Sequence, residues 1–234
     1  MNLRDVSTTG TDVGLDNVDD DTATTPIGFT FNYYGNNYSQ VEISSNGFIS
    51  FSLTGEDGCC SGDSIPDTDA PNNLIAGWWE DLDPSEGGII RAQTLGTPGN
   101  REFIVGFYDV ADYDDPDVIN TFEIILHEAT GDIELAIKDV QFDDVDDKVT
   151  GIENADGTDG IEVIFVDSDD PNYANGESVL SNQGYCFSTS GTACGSAVSE
   201  ARSIPTLSSL GILLLGTALL VTGLLGRRMG RRSA

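Results

Sequence analysis

From Ile27 to about Ser188 the apolar residues come in short runs separated by Gly, Asn, Asp and Pro. Ile27, Phe29, Phe31 and Tyr33 alternate with smaller or polar residues. Successive side chains of an extended chain point to opposite sides, so this spacing gives one apolar face. Val41-Glu42-Ile43 and Ile49-Ser50-Phe51 alternate likewise around Asn46-Gly47. A two-residue Asn-Gly turn would set Ile43 against Ser50 and place the apolar residues on opposite faces. A longer loop, Ser44 to Phe48, sets Ile43 beside Ile49 and Val41 beside Phe51, and face matching selects it.

Leu74-Ile75-Ala76-Gly77-Trp78-Trp79 and Phe103-Ile104-Val105-Gly106-Phe107-Tyr108 are dense apolar runs of the buried-strand kind. The clearest hairpin is Phe122 to Ile137. Phe122, Ile124 and Leu126 share a face, as do Ile133, Leu135 and Ile137, with Ala129-Thr130-Gly131 as the bend. Val149-Thr150-Gly151-Ile152 and Ile161-Glu162-Val163-Ile164-Phe165 complete the set. Strands at near-regular spacing, without an amphipathic helix of useful length, predict an all-β fold: an antiparallel β-sandwich or jelly-roll-like domain. No internal repeat of the solenoid type occurs.

The end of the chain changes character. Leu207 to Gly226 is 20 residues without a charge. At about 1.5 Å per residue a helix of that length spans the roughly 30 Å hydrocarbon core of a bilayer. Arg227, Arg228, Arg231 and Arg232 follow at once. Basic residues stay on the cytoplasmic side, so one C-terminal transmembrane helix is expected, with the rest of the chain outside the cytoplasm. A buried core helix is the alternative, but a small sandwich cannot cover such a helix on all sides.

Charge supports an external location. All 40 acids lie in residues 1–201, against five bases there (Arg4, Arg91, Arg101, Lys138 and Lys148). Such a body repels a phosphate backbone, which excludes nucleic acid as an expected partner. High net charge also keeps the protein soluble and apart from its neighbours. The four cysteines, Cys59, Cys60, Cys186 and Cys194, fit no zinc or redox spacing and suit an oxidising compartment. Of the three possible pairings we expect Cys186–Cys194, because Ser188-Thr189-Ser190-Gly191 can bend the chain back between them. Residues 1–25 are polar and acidic, with no basic start followed by an apolar run. For an exported protein this leaves a misplaced start, a fragment, or a tail that alone directs insertion, and one of the first two is expected.

Two resemblances follow from particular residues. Ser203-Ile204-Pro205-Thr206-Leu207, then the apolar run, then the arginine cluster, resembles an IPTL-CTERM sorting tail, a relative of the PEP-CTERM signals of exopolysaccharide-producing Gram-negative bacteria. The resemblance implies that Ile204, Pro205, Thr206 and Leu207 are a motif read by an exosortase-type processing enzyme, with Arg227, Arg228, Arg231 and Arg232 as a basic stop. In the body, Ile27-Gly28-Phe29, Ile43-Ser44-Ser45-Asn46-Gly47-Phe48-Ile49, Pro71-Asn72-Asn73-Leu74-Ile75-Ala76 and Trp79-Glu80-Asp81-Leu82-Asp83-Pro84 are distantly similar to nidogen-type extracellular domains. That likeness runs over most of residues 25–166 and implies a surface or matrix module without a reaction. The expected organisation is an acidic segment 1–25, a β-sandwich domain 26–190, a linker 191–203 and a sorting tail 204–234.

Candidate chemistry is sparse. His127, the one histidine, falls on the strand face opposite Phe122, Ile124 and Leu126, where solvent contact is expected. No G-x-S-x-G elbow accompanies it. Glu80, Asp81 and Asp83 follow two tryptophans, which allows a glycosidase-like acid pair beside a sugar-stacking platform. The plainer reading is a core tryptophan with acids ending the strand. No cofactor is expected, with calcium the one candidate. Asp112, Asp114, Asp143 and Asp146 sit in two oxygen-rich loops that lack the EF-hand order and are its candidate ligands. The sequence thus reads as a non-enzymatic cell-surface or matrix protein whose partners are the membrane, a processing enzyme and polysaccharide or other envelope material. The competing class is a secreted hydrolase.

Overall fold

The computed structural model describes residues 3–142, 146–168, 176–177, 180–188 and 200–203. The chain divides into two compact units, Met1–Ile204 and Pro205–Ala234, and every described residue belongs to the first. The described residues are all-β, with no helix. In chain order the strands are β1 (Thr11–Asp12), β2 (Thr22–Tyr33), β3 (Asn36–Ser44), β4 (Phe48–Ser50), β5 (Leu74–Trp79), β6 (Ile89–Thr97), β7 (Asn100–Ala111), β8 (Ile119–His127), β9 (Ile133–Asp139), β10 (Gln141–Phe142), β11 (Lys148–Glu153), β12 (Gly160–Val166), β13 (Gly176–Glu177), β14 (Gln183–Ser188) and β15 (Glu200–Ser203).

Two large sheets form. One has the order β1-β6-β7-β8-β9-β14-β15, the other β12-β11-β5-β4-β3-β2, and β10 pairs with β13 separately. All pairings are antiparallel except β14 with β15. Consecutive strands pair side by side, β2 to β5 in one sheet and β6 to β9 in the other. The connections are therefore meanders, and the sheet-to-sheet alternation of a jelly roll is not found among them.

The alternation in the sequence sets which side chains meet. Ile27, Phe29, Phe31 and Tyr33 of β2 are buried while the residues between them are exposed. They join Ile43, Ile75 and Trp78 of the same sheet and Val105, Phe122, Ile124, Leu126 and Leu135 of the other in one core. Ile43 pairs with Ile49, as face matching requires, and Phe51 enters the same core. The β8–β9 hairpin has the expected register, with Phe122 opposite Ile137, Ile124 opposite Leu135 and Leu126 opposite Ile133. Gly77 allows the sheets to approach, since a Cβ there would meet the Phe122 ring at 2.5 Å. Each large apolar side chain so buried contributes about 1.5–3 kcal/mol.

Parts of the outer faces are covered as well, which explains why β5 and β11 are buried along their whole lengths. Ile65, from the long connection between β4 and β5, packs on Phe48, Leu74, Ala76, Trp79 and Val149. On the other sheet Val6 packs on Ile104, Tyr108, Ile125 and Ala136. The acidic N-terminal segment is thus built into the body. The Val6 N–H donates to the Tyr108 hydroxyl (2.8 Å), and the Arg4 and Asp5 N–H groups donate to the Glu123 carboxylate.

Candidate functional site

The turn between β3 and β4 organises one rim of the sandwich. Gly47 has a positive φ of 88°, open to glycine without strain. A Cβ at Gly47 would collide with the Trp78 carbonyl oxygen. Its own carbonyl accepts from the Gly77 and Trp78 N–H groups, and the Asn46 carbonyl accepts from Glu80 N–H. Asn46 is fully buried, and its side chain joins three segments. Its Oδ1 accepts from Leu82 N–H at 3.1 Å, while its Nδ2 donates to Asp20 Oδ1 at 3.0 Å and to the Asp57 carbonyl at 3.3 Å.

Around that turn lies an acidic pocket. One carboxylate oxygen each from Asp20 and Asp81 and the sulfurs of Cys59 and Cys60 lie within 4.8 Å of one another. Cys59 and Cys60 are disulfide-bonded to each other. Asp81 is 6 % exposed, and its Oδ1 is buried without a hydrogen-bond partner; Asp19 Oδ1 is in the same condition. Burial, followed by the charges of Asp20, Asp146, Asp19 and Asp112, pushes the Asp81 carboxyl up to about 7.

Two of the four acids expected to bind calcium, Asp112 and Asp146, therefore act on this pocket, though the centre is another residue. Asp112 is buried and its Oδ1 accepts from the Asp114 and Asp115 N–H groups (2.9 and 3.1 Å), so it shapes the loop after β7. Asp114 points to solvent. Asp143 lies outside the described residues, as do Cys194, the motif Ile204–Leu207, the expected span 207–226 and Arg227, Arg228, Arg231 and Arg232. Cys186 is buried and disulfide-bonded.

The expected sugar platform takes a different form. Trp78 belongs to the core between the sheets, and Trp79 is 2 % exposed under the β4–β5 connection, its Nε1 donating to the Gly58 carbonyl. Neither presents a ring face to solvent. Glu80 does not end in a solvated loop: it is fully buried and ion-paired at 3.1 Å with Lys148, also fully buried. Asp83 is buried too, its Oδ1 accepting from Ser85 N–H.

His127 lies on the expected face, but that face is partly covered. Its Nδ1 is 3.3 Å from Glu102 and its Nε2 3.2 Å from Glu134. Arg4 forms ion pairs with the same two carboxylates. Burial opposes ionisation of Glu134, yet hydrogen bonds from His127 and Arg4 hold its carboxyl below the usual range. This cluster fastens the N-terminal segment to β7, β8 and β9.

Sequence reasoning missed Asp19, Asp20 and Asp81 as a group because they are remote in the chain and meet only through Asn46-Gly47. The visible signal was that Asn-Gly turn, which demanded a partner for a buried amide.

The described residues thus form a sandwich of two mainly antiparallel sheets with a disulfide at its rim. A family model described as NIDO related matches residues 2–187. The chain belongs to this nidogen-related family. No curated protein and no solved structure matches the chain.

Proposed function

We propose that the chain is a non-enzymatic cell-surface or extracellular-matrix protein, exported and then anchored or sorted through residues 204–234. The observation that carries this reading is the nidogen-related domain over residues 2–187, a membership that points to an extracellular or cell-surface module. The acidic body and the Cys59–Cys60 disulfide support it. So does the use of His127, Glu102, Glu134, Glu80 and Lys148 in contacts that hold the fold together. Polysaccharide or another envelope component is the partner class we favour.

In the tail, Leu207–Gly226 crosses the bilayer and the four arginines remain cytoplasmic, since drawing each through hydrocarbon costs about 2.5–3.5 kcal/mol on insertion scales. Ile204–Leu207 then stands at the outer boundary, where Pro205 keeps the backbone extended for an exosortase-type enzyme. The test is expression behind a leader in a host with such a system. The surface fraction should contain protein that has lost the residues after the motif. Intact mass there, with Arg227–Arg232 attached, would reduce the tail to an anchor. Resistance to protease added to intact cells would refute the surface location itself.

A further inference from the structure

The pocket at Asp81 raises a problem that the surface-module reading does not address. A buried carboxylate oxygen without a donor loses its hydration and gains nothing in exchange. Two such oxygens, Asp81 Oδ1 and Asp19 Oδ1, occur at this rim. Asp20 adds a third acid, placed by a backbone at φ 46° and by the hydrogen bond from Asn46 Nδ2 to its Oδ1. Its other oxygen, Oδ2, lies 3.9 Å from Cys60 Sγ. A disulfide sulfur carries no proton, so that contact is not a hydrogen bond and supplies no charge compensation.

We propose that Asp81 and Asp20, with the charge of Asp19 beside them, bind a calcium ion at this rim, between the N-terminal run, the Cys59–Cys60 turn and the end of β5. Calcium suits the donor set. It takes six to eight oxygen ligands in flexible geometry, whereas magnesium demands a near-ideal octahedron. Zinc wants thiolate or imidazole, and the sulfurs here are joined to each other. Water completes the shell on the open side, and the Asp112 and Asp146 charges that act on Asp81 strengthen the field at the ion. The ion adds a tie among three stretches of chain already joined through Asn46 and through the Trp79–Gly58 hydrogen bond.

The alternative explanation of the same pocket is a carboxyl that stays protonated and holds no metal, and one pair of variants separates the two. The full chain, disulfides intact and in neutral detergent, is titrated with calcium chloride in a calorimeter and melted in calcium and in chelator. The parent should show one saturable site and a melting point raised by calcium. Asp81→Asn should lose at least about tenfold in calcium affinity and lose the calcium-dependent rise. Its melting point in chelator should equal or exceed the parent's, because like-charge repulsion is relieved, and this shows that the fold is intact. Asp114→Asn, in the exposed loop, should keep the parent's affinity. Identical parent melting curves in calcium and chelator would overturn the proposal. So would undiminished calcium binding by Asp81→Asn, or loss of binding in Asp114→Asn alone.

Discussion

Lys148→Met is the most informative single change for stability. Lys148 opens β11 and Glu80 follows β5, strands paired through Val149 and Trp79. Both side chains are fully buried and 3.1 Å apart, and Lys148 Nζ also donates to the Asp146 carbonyl at 3.0 Å. Methionine matches the length of the lysine stem but leaves Glu80 without its cation in a dry site. Breaking a buried pair in this way costs about 3–5 kcal/mol, against a total stability of about 5–15 kcal/mol for a typical domain. Removing both charges is another matter, since apolar replacements of a buried pair are often neutral or better. Lys148→Met/Glu80→Leu should therefore recover most of the loss. Urea unfolding followed by tryptophan fluorescence suits the measurement, because both tryptophans are buried and precede Glu80 directly. A double variant whose loss equals the sum of the two single losses, within about 0.5 kcal/mol, would refute the reasoning.

Four further expectations follow from the packing and the titrating groups. Leu126→Asp places a charge on the inner face of β8 and should cost several kcal/mol, by order of magnitude, read as a lowered urea midpoint. Gly47→Ala should be strongly destabilising, because its φ and the Trp78 carbonyl both oppose a side chain; a melting point like the parent's would contradict the turn. Burial, then the nearby Asp67 and Asp63 charges, pushes the Glu153 carboxyl up to about 7, against a hydrogen bond from Asp67 N–H that favours the charged form. Its folded pKa is above its unfolded one, so stability falls as pH rises from about 4.5 to 7. At about 1.4 kcal/mol per pKa unit, and discounted for screening by water, that is about 1–2 kcal/mol; Glu153→Gln should flatten the profile measured in chelator. Peptide mapping without reduction should recover Cys186 linked to Cys194, and alkylation of both before reduction would rule the bridge out.

Legibility in the sequence tracked how much of a strand's environment is local. The β8–β9 register and the burial of Phe29, Phe31 and Tyr33 follow from period-two spacing alone. β6 went unseen because its inward positions include Ala92 and Thr94, too small or polar to mark a face, although Ile90 and Ala92 are buried. Residues 3–10 read as a polar tail because one valine and one arginine do the work, and their partners are supplied by β7 to β9. The acids after Trp79 read as a strand end because nothing near them in sequence foretells Lys148. The Asp19–Asp20–Asp81 grouping depends on a turn that folds remote segments together, which no spacing within one segment can reveal.

The seating of the N-terminal segment also bears on how this body is made. Arg4 is synthesised before its carboxylate partners, which stand 98 and 130 residues further along the chain. Val6 waits likewise for Tyr108, 102 residues on. No early fragment can close the outer face of the seven-stranded sheet, so folding must await delivery of β9. Contacts at such separation make the folding barrier largely one of loop closure, and chains of this kind fold slowly, in milliseconds to seconds. Until then the unpaired apolar runs of β5 and β8 are open to other chains, and the charge of −30 becomes a kinetic safeguard: it holds nascent copies apart while each finds its own first residues.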